Sequence, residues 1–213
     1  MRYIITLIIL INVTLSQTVY EIPFSSKGNI IELSISNNSA LTAEEVKVEA
    51  TNMPKGITFT EESVTLAEIK SKEEQVAIFT FSVEKQTIIN KEQTIVFTIT
   101  DKTGQSWTKE IAIKVTPPQT FELYQNYPNP FNPITTISYQ LPDVATRFIV
   151  SLNIYDILGR EVIAINTEEA SGYYEQRIDA TKLSSGVYVY RIHAQPIGGG
   201  KSYVSTKKMV VMK

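Results

Sequence analysis

Apolar and polar residues alternate along most of this chain. Ile31, Leu33 and Ile35 are separated by Glu32 and Ser34, and Val46, Val48 and Ala50 by Lys47 and Glu49. The runs 76–83 (VAIFTFSV), 94–100 (TIVFTIT) and 107–115 (WTKEIAIKV) carry the same period over longer, β-branched stretches. A period of two with turn residues between the runs predicts antiparallel strands that bury one face. In 107–115 it aligns Trp107 with Ile111, Ile113 and Val115, which places the tryptophan in a core. Asp101-Lys102-Thr103-Gly104 predicts a hairpin turn, with Gly104 at a positive-φ position.

The same pattern returns after residue 133. The runs 135–141 (TTISYQL), 148–155 (FIVSLNIY), 160–165 (REVIAI), 173–178, 187–194 (VYVYRIHA) and 203–212 predict strands, joined by turns at 156–159, 183–186 and 198–200. Strands of this length and spacing predict an all-β chain. The expected architecture is two immunoglobulin-like or fibronectin-like antiparallel β-sandwiches in tandem. The disulfide-linked form is excluded, because cysteine is absent.

One stretch breaks the alternation. Residues 3–15 (YIITLIILINVTL) are almost uniformly apolar, follow Arg2, and end near the small residues Thr14 and Ser16. A run of about 13 residues is short for a membrane span, which takes about 20, but fits the apolar core of a secretory leader. The expected division is a signal peptide over 1–17, cut after Ser16 or Gln17, a sandwich over 18–116, a proline-rich linker over 117–120, and a second sandwich over 121–213. A leader implies the Sec translocon and signal peptidase as partners.

Composition supports a division near Pro117-Pro118. From Gln17 to Pro118 every basic residue is lysine, and ten lysines face fourteen acids; after it four arginines and five lysines face eight acids. Nine of the eleven tyrosines lie in the second part. With a net charge of −2, nucleic acid is not an expected partner.

The segment Tyr127-Pro128-Asn129-Pro130-Phe131-Asn132-Pro133 holds three prolines, which cannot donate to a sheet ladder, so it reads as an extended entry pinned by Tyr127 and Phe131. It lies in FELYQNYPNPFNPITTISYQLP and is followed by IYDILGREV, by DATKLSSGVYVYRI and by a terminal KKMVVMK. These four blocks, in this order over 121–213, resemble the type A C-terminal sorting domain of proteins exported by the type IX secretion system. The resemblance implies a β-sandwich that directs a protein from the periplasm of a Gram-negative bacterium across the outer membrane. It also implies a translocon, a cell-surface sortase-like protease that removes the domain, and release or attachment to lipopolysaccharide. The residues it singles out are Tyr127 to Pro133 with Gly159, Gly186, Tyr188, Lys207, Lys208, Met209, Val210 and Lys213. The last strand would be read through backbone pairing and the Lys207-Lys208 charges.

No catalytic constellation accompanies these blocks. His193 lies in a strand with no partner in view, and a general base needs one. Gly198-Gly199-Gly200 lacks the spacing of a phosphate loop. Asp101, Asp143, Asp156 and Asp179 are single carboxylates near turns, suited to Asx turns more than to calcium. No cofactor or metal and no enzymatic activity is expected. The first sandwich reads as a structural, adhesion or binding module. Alternatives are a carbohydrate-binding or enzyme-accessory module, with Trp107 as the candidate stacking residue, or the tail of a larger secreted enzyme.

Overall fold

A computed structural model describes residues 4–8, 18–144 and 147–213. Arg2 and the expected cleavage point at Ser16–Gln17 lie outside the described residues. The chain is all-β and forms two compact units, Met1–Thr116 and Pro117–Lys213.

The first unit contains β1 (Ile4–Ile8), β2 (Val19–Pro23), β3 (Asn29–Ser36), β4 (Ala43–Asn52), β5 (Ile57–Phe59), β6 (Ser63–Ile69), β7 (Glu74–Val83), β8 (Glu92–Thr100) and β9 (Ser106–Thr116). Two sheets, in the orders β1-β3-β7-β5 and β2-β9-β8-β4-β6, make a sandwich. Most pairs are antiparallel, but β1 runs parallel to β3 and β2 parallel to β9. Strand β1 lies inside the stretch read from sequence as a leader.

Alternation builds the core directly. Ile31 and Leu33 from β3, Phe79 and Phe81 from β7, and Ile95 and Phe97 from β8 are all sealed from solvent. Phe59, Phe79 and Phe97 meet edge to face or tilted, with ring centroids 4.9–6.0 Å apart. Such pairs add to the burial of their area. Trp107 departs from expectation. It shares a face with Ile111 and pairs with the buried Ile99 but remains 47% exposed, because β9 is the outer strand here: β2 pairs with it only from Ala112 to Thr116. The period assigns a face correctly and says nothing about where the neighbouring strand ends.

The second unit contains β10 (Glu122–Leu123), β11 (Ile134–Leu141), β12 (Phe148–Tyr155), β13 (Glu161–Glu169), β14 (Gly172–Asp179), β15 (Gly186–Pro196) and β16 (Tyr203–Val211). Its sheets have the orders β10-β11-β14 and β13-β12-β15-β16, and every pair is antiparallel. The core joins Ile137, Leu141, Phe148, Leu152, Tyr190, Ile192 and Met209. Residues 117–120 are tied to this unit: the Asp143 N–H donates to the Pro118 carbonyl at 3.0 Å, and Gln140 Nε2 to the Thr120 carbonyl at 3.0 Å.

Candidate functional site

The proline segment and the end of the chain are brought together. After β10 the chain cannot continue as a paired strand, because Pro128, Pro130 and Pro133 lack N–H groups. Side chains replace the missing ladder. Tyr190, fully buried in β15, donates its hydroxyl to the Tyr124 carbonyl and accepts the Asn126 backbone N–H, both at 2.9 Å. Burial pushes the Tyr190 pKa up to about 12, against a smaller opposing effect of the Asn126 N–H, so the phenol stays a proton donor at ordinary pH. Asn126, itself buried, donates Nδ2 to the Pro128 carbonyl (3.0 Å) and to Thr135 Oγ1 (2.9 Å). The Tyr127–Pro128 and Asn129–Pro130 peptide bonds are cis.

Thus shaped, the segment lies along the outer edge of β16. Gln125 Nε2 donates to the Lys208 carbonyl at 2.8 Å. The Val210 N–H donates to Asn129 Oδ1 at 2.9 Å. The Phe131 N–H donates to the Val210 carbonyl (3.1 Å), and the Met212 N–H to the Phe131 carbonyl (2.9 Å), so Phe131 bridges Val211 as a one-residue parallel strand. The Phe131 ring is buried in the core that holds Met209 and Val211. Tyr127 does not pin the segment with its ring. Its backbone exchanges two hydrogen bonds with Thr136, and its side chain is 82% exposed.

The other edge of β16 pairs with β15, from Tyr203↔Ala194 to Val211↔Gly186. Beyond the strand, the Lys213 N–H donates to Ser185 Oγ (3.0 Å) and Lys213 Nζ to the Thr181 carbonyl (2.7 Å). Tyr188 closes the preceding turn by donating to the Ser184 carbonyl at 3.0 Å. Register aligns Tyr155, Val189 and Lys208 across three strands, so the turn after Tyr155 emerges at the end of the sheet where the chain terminates. In that turn Asp156 Oδ1 accepts the N–H groups of Leu158 (2.9 Å) and Arg160 (3.0 Å), and Oδ2 accepts Arg160 Nε (2.7 Å). Desolvation works to raise the Asp156 pKa, but these donors outweigh it and hold it below the ordinary value. Gly159 sits at φ +78°, which favours glycine. Ile157 and Leu158 are exposed at the tip.

All four blocks therefore meet around one end of the second sandwich. Of the residues singled out from sequence, Phe131, Tyr188 and Met209 are core. Val210, Gly186 and Lys207 are half-buried, and Tyr127 to Pro130, Asn132, Gly159, Lys208 and Lys213 are exposed. Pro133 is half-buried, and its carbonyl accepts the Ala180 N–H at 2.8 Å. Gln125, Asn126 and Tyr190 were not singled out, yet they hold the segment in place. Backbone pairing cannot read the last residues as they stand, because both edges of β16 between Lys208 and Val211 are occupied. Removing 207–213 would take Met209 and Val211 out of the core as well as a signal. Among the described residues no group of three His, Asp or Glu side chains is placed to hold a metal ion.

Residues 125–212 match the family described as the secretion system C-terminal sorting domain. No curated protein matches the chain. Solved structures with similar folds include dimeric latent PorU from Porphyromonas gingivalis (16% identity, TM-score 0.37, 94% of this chain and 19% of that one). They also include the calcium-binding domain CBD12 of CALX1.1 (9% identity, TM-score 0.36, 87% and 77%) and the FN1–FN3 domains of chicken CNTN1 (11% identity, TM-score 0.32, 92% and 69%). The chain spans about a fifth of the PorU chain.

Proposed function

We propose, from the match of residues 125–212 to the secretion system C-terminal sorting domain family, that this is a non-catalytic secreted or cell-surface protein that carries its own type IX export address. On this reading residues 1–17 are a leader for the Sec translocon, removed by signal peptidase. The second unit then takes the protein through the type IX translocon. A cell-surface sortase-like protease removes that unit, and the first unit is released or joined to lipopolysaccharide. Residues 18–116, the first unit without β1, are the structural or adhesion module that is delivered. The observation that carries the reading is the family match over the second unit, supported by the meeting of its four sequence blocks at one end. The test compares the whole chain with one stopped after Thr116 in a type IX-competent host. The whole chain is expected at the surface or in the medium and the shortened one in the periplasm; equal export of both would remove the assignment. The same fractions, sequenced from the N-terminus, should begin at Gln17 or Thr18.

A second reading of the first unit rests on Trp107. A tryptophan 47% exposed on a sandwich is a stacking surface for a sugar ring. Binding of soluble polysaccharides that Trp107→Ala abolishes would favour a carbohydrate-binding module over a purely structural one.

A further inference from the structure

The two flanks of the second sandwich are not alike. On one, β10 and β16 are the outer strands, and residues 125–131 close the gap between them. On the other, β13 and β14 are the outer strands, and among the described residues no strand pairs with their outer edges. Between them lies a cavity of about 560 Å³, in the range of ligand sites. Val162, Ile163 and Ile165 of β13 face Ile178 and Leu183 across it.

Edge strands are usually blunted by charge, proline or a cover, because their unpaired N–H and C=O groups recruit other strands. Strand β13 has acids at its ends, Glu161, Glu168 and Glu169, but its middle, 162–167 (VIAINT), has neither charge nor proline. Beside this bare stretch the mouth of the cavity is cationic. Arg177 and Lys182 both line it and take part in no salt bridge among the described residues. The one acid of the lining, Asp179, accepts the N–H and hydroxyl of Thr181 and feels the charges of both Arg177 and Lys182, so it offsets one of the two cations and leaves the mouth net positive.

We propose that this open flank is a docking groove for one extended segment of a partner protein, alternating apolar side chains with carboxylates. The segment would add to the edge of β13, place its apolar side chains in the cavity, and meet Arg177 and Lys182 with its acids. Backbone edges on both walls favour a polypeptide over a small ligand, and two cations against one satisfied acid favour an acidic one. Four residues, 162–165, span about 13 Å of edge, room for a strand of about four residues. Placing the partner in the export machinery rests on the sorting reading; the groove itself does not.

The probe is a seven-residue peptide alternating valine and glutamate, with a valine–lysine peptide as control, added to the isotope-labelled whole chain. The glutamate peptide is expected to move the amide resonances of β13 and β14 and leave those of β16 in place. It should bind at least ten-fold more tightly than the lysine peptide. Joint Arg177→Glu and Lys182→Glu substitution should reverse that preference, and Ile165→Lys should abolish binding. Should either variant fail to fold by thermal unfolding, Arg177→Gln with Lys182→Gln provides the weaker form of the test. Absence of shifts in β13 and β14, or a preference unmoved by the charge changes, overturns the proposal. So does a dimer in sedimentation that these substitutions dissolve while no peptide binds, which would make the occupant a second copy. In a type IX-competent host the charge-reversed chain is expected to stay in the periplasm. If it binds no peptide yet leaves normally, the groove's role in export is overturned while the sorting reading stands. If the chain stopped after Thr116 leaves normally, it is the sorting reading that falls.

Discussion

The two sandwiches reach closure by different chemistry. The first packs a phenylalanine cluster between two sheets, with Phe79, Phe81 and Phe97 sealed from solvent. Burial of this kind is non-directional and tolerates imprecision in its neighbours. The second must accommodate a proline segment that cannot form a ladder. It relies on directed bonds instead: Tyr190 to Tyr124 and Asn126, Asn126 to Pro128 and Thr135, and Gln125 and Asn129 to β16. A core of the first kind holds a shape. A set of directed hydrogen bonds holds one particular path of the chain, and here that path runs along the last strand.

The comparison breaks most visibly at the aromatic cores. Phe97→Ala should cost about 3–5 kcal/mol and unfold the first unit at a much lower temperature. The second unit has a separate core and should keep its own transition, read by calorimetry. One cooperative transition that shifts as a whole would mean that the units do not unfold separately.

Tyr190→Phe probes the directed bonds with almost no change of volume. It leaves the Asn126 N–H and the Tyr124 carbonyl without their shared partner, at a cost of about 1–3 kcal/mol. Hydrogen exchange should quicken through 124–131 and in the second half of β16. A loss confined to β15 would show that the segment is held by packing alone.

Asn129→Ala sharpens the same contrast at the surface. It removes the acceptor for the Val210 N–H, at about 0.5–1.5 kcal/mol. The Val210 amide should exchange faster while that of Met212, bonded to the Phe131 carbonyl, stays protected.

What could be read from the sequence divides along the same line. Faces follow from a period of two, so Ile31, Leu33, Val46 and Val48 were legible as inward residues, and with them the all-β fold. Trp107 and Tyr127 were misplaced, the first because extent of cover has no periodic signal, the second because its backbone and not its ring does the fastening. The partners of the proline segment were beyond reach for another reason. Gln125 bonds Lys208, Asn126 bonds Tyr190 and Asn129 bonds Val210, contacts that close over 64 to 83 residues. A glutamine or asparagine looks the same in a loop whether or not such a partner exists. Asx turns lie at the opposite extreme: Asp101, Asp156 and Asp179 each bond residues two to four positions on, and their turns were legible.

Those three aspartates give the smallest expected effect and a last test of the contrast. Each has a lowered pKa. For Asp101 and Asp179 the leading cause is the hydroxyl of Thr103 or Thr181; for Asp156 the donors of Arg160 and Leu158 overcome a desolvation that acts the other way. A carboxyl whose folded pKa lies below its unfolded one, near 3.9 for aspartate, adds stability that is complete above the unfolded value. That stability is lost as pH falls through the folded value. Two of the three turns lie in the second unit, so acidification below about pH 4 should lower its melting temperature through Asp156 and Asp179, and that of the first through Asp101. Asp156→Asn should slightly lower the second transition at pH 7, flatten its decline in acid and leave the first transition unchanged. An acid decline that is identical with and without the substitution would place the second unit's sensitivity elsewhere, with Asp179 and Thr181 next in line for the same measurement.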